Sequence, residues 1–353
     1  MGAADGPQAG RRRVVSLLPS ATDALEALGC AELLVGRSHE CDHALPCIAA
    51  ATPITSPKAS TDDTPSFKEL DAIFSASKAA VAGAALLAGD MVSWLHLGLA
   101  VFRVDLRALA ELRPDVVLTQ VQGLPAIGDG AAAGDAGAAR AEAIGAVEAA
   151  LEELVGKHVR VVHLEADTLD EAMQDVRQVA GALGLGEKGE ECVKRIRRRM
   201  DAAAEMARGR AGLRVACIQW PDPLYAALSW VPELIRLAGG KDVLEAKART
   251  AFGSVSASDV AQADPEVIVV AVCGLSRQKC AAVGKTLLER FGREWRETAA
   301  VKNRRVVAVD AVRLFSRPGP LLADTLEALC EIFHSTFGEM QPFGHGERWQ
   351  VLL

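Results

Sequence analysis

Residues 13–43 constrain the fold most, because they are predicted to form a strand, a tight turn, a helix and a second strand. The apolar run 14–18 ends at a proline, which is typical of a strand covered on both faces of a parallel sheet. Ser20 and Thr22 can then supply side-chain oxygens to the free N–H groups of a helix that stops at Gly29. A helix N-terminus at the carboxyl end of a strand is where open α/β sheets bind ligands.

A polar cluster follows the second predicted strand, residues 33–36. It comprises Arg37, Ser38, His39, Glu40, Cys41, Asp42 and His43. Few core segments hold so many ionisable groups, so the cluster predicts a ligand site at the carboxyl end of this strand.

Three interpretations of the cluster stay open. His39, Cys41 and His43 alternate, so an extended segment places all three on one face, as a metal site needs. The sequence offers no obvious fourth donor, although closed structural zinc sites take four. Alternatively, Arg37 and Glu40 contact an organic ligand, or the charged residues only make hydrogen bonds in turns.

Composition indicates an α/β protein and argues against a nucleic-acid partner. Aromatic residues make up only 4% of the chain, and the net charge is −7, which disfavours binding to an anionic surface. The basic runs 11–13 and 194–199 are short and read as solvated faces. We also expect no membrane span, because polar residues interrupt the most apolar stretch, 79–101, which reads as a core helix plus loop.

The start of the sequence predicts a cytoplasmic location. The first 13 residues contain no apolar stretch typical of a secretory signal. The eight cysteines are therefore expected to be free thiols. A plastid or mitochondrial address stays open.

The chain contains an approximate internal repeat, since the second half has a sequence, DPEVIVV, similar to RPDVVLT in the first half. This repetition predicts two similar α/β lobes. Between them, 169–183 and 187–208 have helical periodicity, and the second would span roughly 30 Å. Polar residues at 53–65 predict a loop, and the Gly- and Ala-rich stretch 123–145 predicts a flexible insertion.

Five ordered motifs resemble one family. They are SLLPSATDALEALG with LVGRSHECDH, LRPDVVLTQ, RVACIQWPDPLYAALSWVPELIRLAGG, DPEVIVVAVCG and AVKNRRVVAVDAVRLFSRPGP. Together they resemble the substrate-binding proteins of vitamin B12 and ferric-siderophore ABC transporters, over roughly residues 13–335. The resemblance implies two Rossmann-like lobes with mostly parallel sheets, joined by a long backbone helix, as in class III periplasmic binding proteins.

The resemblance also implies a domain plan. The segments are a disordered N-terminus at 1–12, an N-terminal α/β lobe at 13–167, a helical connector with the backbone helix at 168–211, a C-terminal α/β lobe at 212–338 and a C-terminal tail at 339–353. The ligand is expected in the cleft between the lobes.

Candidate ligand contacts come from both lobes, and the resemblance implies that Gln120 faces the cleft. In the first lobe they are Ser20, Arg37, His39, Glu40 and Gln120, and His39 is a candidate ligand for the central ion of a corrinoid or haem. In the second lobe they are Trp220, Tyr225, Trp230, Cys273 and Arg317. The three aromatic residues predict a flat apolar wall, with core packing as the alternative. Arg317 predicts a donor to an acidic or amide group, with a structural salt bridge as its rival.

Two departures from the family bear on function. The related branch has paired cysteines just beyond the position of Gln120, and this chain lacks them. Arg107 and Lys241 stand where the family carries acidic residues that dock on the ABC permease, so normal docking is doubtful unless Glu111 or Asp242 substitutes.

The sequence therefore predicts non-catalytic binding of a small molecule, outside the usual periplasmic transport role. A corrinoid such as cobalamin, or a related tetrapyrrole or metal chelate, is the favoured ligand, and no cofactor is required. Two alternatives remain: a cytosolic enzyme that uses His39, Glu40 and Cys41, and an interaction scaffold with a vestigial cleft.

Overall fold

The structure, a computed structural model, describes residues 12–41, 45–56, 102–120, 133–209, 212–251, 253–334 and 343–353. The chain divides into two compact units. Unit 1 is Met1–Glu165 with Asp175–Glu190, and unit 2 is Ala166–Gln174 with Glu191–Leu353. The chain changes unit three times, once in the loop after residue 165 and twice within helices, after residues 174 and 190.

Unit 1 contains a parallel sheet. Its strands in chain order are β1 Val14–Ser16, β2 Leu34–Arg37, β3 Thr52–Pro53, β4 Thr55–Ser56, β5 Arg103–Val104, β6 Val116–Thr119 and β7 Arg160–His163. The main sheet has the order β3-β2-β1-β6-β7, with every pair parallel. Strands β4 and β5 form a separate antiparallel pair. The sequence prediction of a buried parallel strand followed by a helix is thus confirmed for β1.

Helices connect the strands of unit 1. They are α1 Pro19–Ala27, α2 Pro46–Ala50, α3 Leu106–Leu112 and α4 Ala133–Val155, followed by α5 Leu169–Ala182 and α6 Gly186–Ala207, which the unit boundary divides. The predicted helices 169–183 and 187–208 are confirmed, and the 22 residues of α6 span about 33 Å. The predicted flexible insertion is wrong from residue 133 onward, because its alanine-rich sequence favours a helix.

One hydrophobic cluster holds this sheet to its helices. It includes Val15 and Val117 from the sheet, Leu109 from α3 and Leu151 from α4, all of them at most 1% exposed. A Cβ added to Gly36 would lie 2.7 Å from Cδ1 of Leu112 and 3.0 Å from Cγ2 of Val15. Glycine is therefore required for α3 to pack closely on β2.

Unit 2 contains a second, mostly parallel sheet. Its strands are β8 Leu213–Pro221, β9 Leu224–Ala226, β10 Gly240–Asp242, β11 Val267–Val270, β12 Val306–Val309 and β13 Trp349–Val351. The order is β10-β8-β11-β12-β13, and only β13 is antiparallel to its neighbour within that path. Strand β9 forms an antiparallel hairpin with β8. The two sheets agree with the predicted fold of two Rossmann-like lobes.

The helices of unit 2 cover its sheet. They are α7 Val231–Leu237, α8 Glu245–Thr250, α9 Ala257–Ala263, α10 Arg277–Trp295, α11 Ala299–Lys302, α12 Ala311–Leu314 and α13 Leu322–His334. The core of this unit contains Trp295, which is fully buried and donates its indole N–H to the carbonyl of Ala257 at 3.1 Å.

The end of the chain belongs to this second sheet. The sequence assigns 339–353 to a tail, whereas the structure pairs Trp349 with Val309 and Val351 with Val307. The strand is short and carries little alternation, so its sequence pattern alone gave no strand signal.

Three sequence predictions concern residues that the structure does not describe. The N-terminal segment 1–11, most of the polar loop 53–65 and the apolar stretch 79–101 lie outside the described residues. Among the helices that are described, none is both long enough and apolar enough to cross a membrane.

Candidate functional site

Each sheet has a point where the strand order reverses. In unit 1 the chain goes from β1 to β2 on one side, and later returns to β6 on the other side. In unit 2 the same reversal falls between β8 and β11. Because open α/β sheets bind ligands at the carboxyl ends of strands beside such reversals, these two edges are the candidate binding regions.

His39 follows β2 at the carboxyl edge of unit 1, and Thr55 fixes its ring. The backbone N–H of His39 donates to Oγ1 of Thr55 at 2.9 Å, and Nδ1 of the ring lies 2.6 Å from the same oxygen. The hydroxyl of Ser38 also lies 3.1 Å from it. Phe102 packs edge-on against the imidazole, with ring centroids 4.6 Å apart.

The other ring nitrogen of His39 is the unusual atom. Its Nε2 is buried and makes no hydrogen bond among the described residues, and the nearest charged atom is Oε1 of Glu40, at 3.5 Å. Burial lowers the pKa of His39 and the charge of Arg37 lowers it further, against the opposing effect of Glu40. The imidazole is therefore held neutral, as a metal ligand must be.

Cys41 makes different contacts. Its Sγ lies 3.0 Å from Oγ1 of Thr22. Thr22 donates its hydroxyl hydrogen to Ser16, which donates in turn to the carbonyl of Leu18. Since the hydrogen of Thr22 is already used, the thiol of Cys41 is the donor in its own contact. This buried thiol and the His39 ring therefore contact two different hydroxyls.

The predicted metal set is only partly described. His43 lies outside the described residues, and within the described part of the chain no three His, Cys, Asp or Glu side chains are grouped as metal ligands. The involvement of His39, Cys41 and His43 in a metal site stays a prediction.

The remaining first-lobe residues lie at the same edge. Arg37 is the last residue of β2 and is buried, Gln120 follows β6 and is half-buried, and Ser20 lies in the first turn of α1. The predicted capping by Ser20 and Thr22 is wrong, because Leu18 is the N-cap of α1 and no side chain caps it. Pro19 begins the helix, and Thr22 donates to Ser16 instead.

Sequence reasoning missed several residues of this edge. Thr55 and Phe102 come from β4 and from the residue before β5, far from His39 in the chain, and no local pattern marks them. His163 ends β7 beside Thr119 and contacts Glu165, with Nε2 and Oε2 2.7 Å apart. The sequence RVVH, in which a histidine ends an apolar strand, could have indicated His163 as a residue of this edge.

In unit 2, two of the predicted aromatic residues lie opposite each other. Trp220 on β8 is the cross-strand partner of Tyr225 on β9, so both side chains are on one face of the hairpin. Trp230 is the N-cap of α7. Both tryptophans are half-buried. The hairpin thus brings together two of the three residues proposed for the aromatic wall.

Cys273 and Arg317 lie on loops beyond β11 and α12. Ser316 accepts a hydrogen bond from the N–H of Gly274 at 3.1 Å and also contacts the Cys273 side chain, which joins the two loops. Cys273 is exposed. Arg317 is only 3% exposed, so the rival interpretation of a structural arginine gains weight.

The sequence profile of the periplasmic binding protein family matches residues 14–312, which is most of the chain. The chain belongs to the periplasmic binding protein family. The family resemblance seen in the five motifs is thereby confirmed. The comparison with curated protein sequences found no significant match to this chain.

Solved structures of periplasmic binding proteins share the fold. A possible iron-binding, periplasmic solute-binding protein from Staphylococcus epidermidis is 17% identical with a TM-score of 0.60, over 92% of this chain and 99% of that one. A periplasmic heme-binding protein from Roseiflexus sp. RS-1 is 20% identical with a TM-score of 0.59, over 92% and 98%. The periplasmic vitamin B12 binding protein of Vibrio cholerae is 17% identical with a TM-score of 0.56, over 91% and 96%.

Proposed function

We propose that this periplasmic binding protein binds an organic metal chelate, and that Nε2 of His39 coordinates the metal. The favoured chelates are tetrapyrroles and corrinoids, the class to which haem and cobalamin belong. The names of the heme-binding and vitamin B12 binding proteins of the same fold support this class. The observation that carries the proposal is the buried Nε2, which makes no hydrogen bond to any described residue, opposite an Nδ1 that Thr55 holds.

The hydrogen-bond arrangement around Thr55 favours the tautomer that such coordination needs. If Nε2 carried the hydrogen, its nearest described acceptor would be Oε1 of Glu40 at 3.5 Å, too far for a good hydrogen bond, and an unsatisfied buried donor costs about 1–3 kcal/mol. With the hydrogen on Nδ1, Thr55 accepts from both the ring and the backbone of His39 and donates to Ser38. The lone pair of Nε2 then points away from Thr55, and the second nitrogen orients the ring as in other histidine metal ligands.

Glu40 lies beside the proposed metal position. Its carboxylate is 3.5 Å from Nε2, and its side chain is 39% exposed. On removal of this carboxylate, access to Nε2 improves. Substitution of Glu40 by Ala should therefore speed association of the chelate.

The test is an absorption titration of the purified protein with haem, aquocobalamin, cobinamide and a ferric siderophore. We expect saturable binding of at least one chelate, with a shift of its metal-sensitive bands. His39→Ala should abolish the shift, and Thr55→Val should weaken it. The control is His158→Ala, since His158 is an exposed histidine of unit 1 paired with Glu152. A shift that survives in His39→Ala would refute the assignment of the metal ligand.

We also infer that the protein works apart from the ABC permease. Arg107 is 90% exposed and pairs with Glu111 at 3.0 Å, and Lys241 is exposed on β10, so both positions present cations. Like charges across an interface disfavour docking on permease arginines. Stimulation of the ATPase activity of a B12 permease by the loaded protein would contradict this inference.

A cytoplasmic location is part of the same proposal. All eight cysteines are free, a pattern typical of a reducing compartment. Fractionation of cells that express a C-terminally tagged full chain tests the location, and recovery in a secreted or periplasmic fraction would contradict it.

A further inference from the structure

Arg37 is a buried arginine with no counter-charge among the described residues. It is 8% exposed, its NH1 donates to the carbonyl of Ser38 at 3.1 Å, and its Nε has no hydrogen-bond partner among the described residues. No carboxylate of the described chain forms an ion pair with it. A guanidinium carries five N–H donors, and burying its charge unpaired is costly. A bound anion would supply the missing negative charge.

The first turn of α1 has no side-chain cap in the part of the chain that the structure describes. Its N-cap, Leu18, makes no side-chain hydrogen bond, and the turn contains no acidic residue. The nine-residue helix begins with Pro19, so the N–H groups of Ser20 and Ala21 are available. A helix N-terminus carries a partial positive charge and favours anions.

The strand register places Arg37 on the face of the sheet that α1 covers. Arg37 is the Cα partner of Ser16 in the parallel pair β1–β2, so their side chains share one face. Ser16 contacts Thr22 of α1 on that face. A Cβ added to Gly36, the preceding residue, would lie on the other face, against Leu112.

The loop after Arg37 is packed against the same helix. Cys41 contacts Thr22, in the turn that follows the free N–H groups of α1. The charge of Arg37 is also close enough to His39 to depress its pKa. The unpaired cation, the helix N-terminus and the proposed metal ligand therefore lie at one edge of unit 1.

We propose that Arg37 and the first turn of α1 bind an anionic oxygen group of the ligand, a carboxylate or a phosphodiester. This inference rests on the proposed function and restricts its ligand class, because the chelate must then carry an acidic group. The two sources of such an anion differ between chelates. Haem carries carboxylates, whereas cobalamin carries a phosphodiester that cobinamide lacks.

The experiment compares charged and uncharged members of each pair. Affinities of the wild type and Arg37→Gln are measured for haem against haem dimethyl ester, and for cobalamin against cobinamide. We expect the wild type to prefer the charged member of one pair by about tenfold to a hundredfold, as for a hydrogen-bonded charge. Arg37→Gln should reduce that preference to near unity, and Arg37→Lys should keep part of it. The control Arg107→Gln removes an exposed arginine of the same unit.

Inorganic phosphate tests the anion site without any chelate. Millimolar phosphate should raise the melting temperature of the wild type and of Arg107→Gln, but not that of Arg37→Gln. Without ligand, Arg37→Gln should be as stable as the wild type or more stable, because a buried unpaired charge is removed.

The outcomes separate this inference from the proposed function. Equal affinities of Arg37→Gln and the wild type for all four chelates, with a spectral shift that depends on His39, would overturn the anion site and leave the metal ligand intact. An equal loss of affinity for charged and uncharged members would also overturn it. Stabilisation by phosphate through Arg37, with no binding of any chelate, would support the anion site and overturn the proposed function.

Discussion

Glu331 on α13 accepts the indole N–H of Trp349 on β13 at 3.2 Å, and both residues are buried. The other carboxylate oxygen of Glu331 accepts the backbone N–H groups of Phe343 at 2.9 Å and His345 at 3.3 Å. A single buried side chain thus joins the last helix to the last strand. The neighbouring Glu327 contacts the ring of His345 at 2.8 Å. This is a second contact between α13 and the segment that leads into β13.

Glu331→Gln should therefore loosen the end of the chain. The amide has one acceptor oxygen in place of two, so at least one buried N–H loses its partner, at a cost of about 1–3 kcal/mol. We expect a lower urea midpoint and faster amide exchange in β13 and its neighbour β12. The matched control is Glu297→Gln on an exposed carboxylate of unit 2; an equal effect of both substitutions would contradict the anchoring role.

Gly36→Ala should destabilise unit 1. The added methyl group meets Leu112 at 2.7 Å and Val15 at 3.0 Å, and overpacking of this kind costs about 1–3 kcal/mol. Gly181→Ala is the control, since a Cβ there meets nothing within 4 Å and the site is helical. Thermal unfolding of both variants measures the difference, and the prediction is wrong if Gly36→Ala melts with the wild type.

The stability of the protein should depend on Asp242 between pH 4 and 6. Burial raises the pKa of Asp242 from 3.8 to about 6, and the charge of Glu245 adds to the rise. The folded state then binds the proton more tightly than the unfolded state. The free energy of unfolding should fall as the pH rises through this window, by up to about 3 kcal/mol, and stay lower above it.

Asp242→Asn isolates this effect. The amide oxygen can still accept the N–H of Leu244, as Oδ1 of Asp242 does at 2.9 Å, but the residue does not titrate. Urea unfolding at pH 4, 5, 6 and 7 should show that the stability of the variant relative to the wild type rises with pH. A difference that is constant across the range would show that Asp242 has an ordinary pKa.

Thiol reactivity should separate the cysteines by access. Cys273 is exposed and Cys47 is half-buried, whereas the other six are buried. Desolvation raises the pKa of Cys273, which slows its reaction but leaves it the most accessible thiol. In folded protein at pH 8, iodoacetamide followed by peptide mass spectrometry should label Cys273 first. Preferential labelling of Cys41 would support the enzyme hypothesis.

Arg317→Met should test whether this arginine is structural. Because Arg317 is 3% exposed, a structural arginine here would donate to internal acceptors, and leaving those acceptors unpaired costs about 1–3 kcal/mol. We expect a lower melting temperature in the absence of ligand, with Arg107→Met unchanged. Wild-type stability combined with weaker chelate binding would instead restore the sequence-based role of Arg317 as a ligand donor.

Much of the fold could be predicted from the sequence because its signals are local. Apolar runs such as 116–119 and 267–270 marked the buried parallel strands, and the charged periodicity of 187–208 marked a long helix. The polar cluster after β2 was also visible. The hydrogen-bond partners within the cluster could not be predicted. Cys41 and His39 are neighbours in sequence, but they contact two different residues, Thr22 and Thr55, respectively.

The sequence by itself determined the family, the order of strands and helices, and the edge where polar residues gather. Those features depend on hydrophobic periodicity and on motifs only a few residues long. Tertiary structure alone decided that Thr55 holds His39, that Arg37 is buried with no ion-pair partner in the described part of the chain, and that Glu331 holds Trp349. Each of these depends on which distant residues the packing of the elements brings within hydrogen-bond distance, and such distances are not encoded in local sequence patterns.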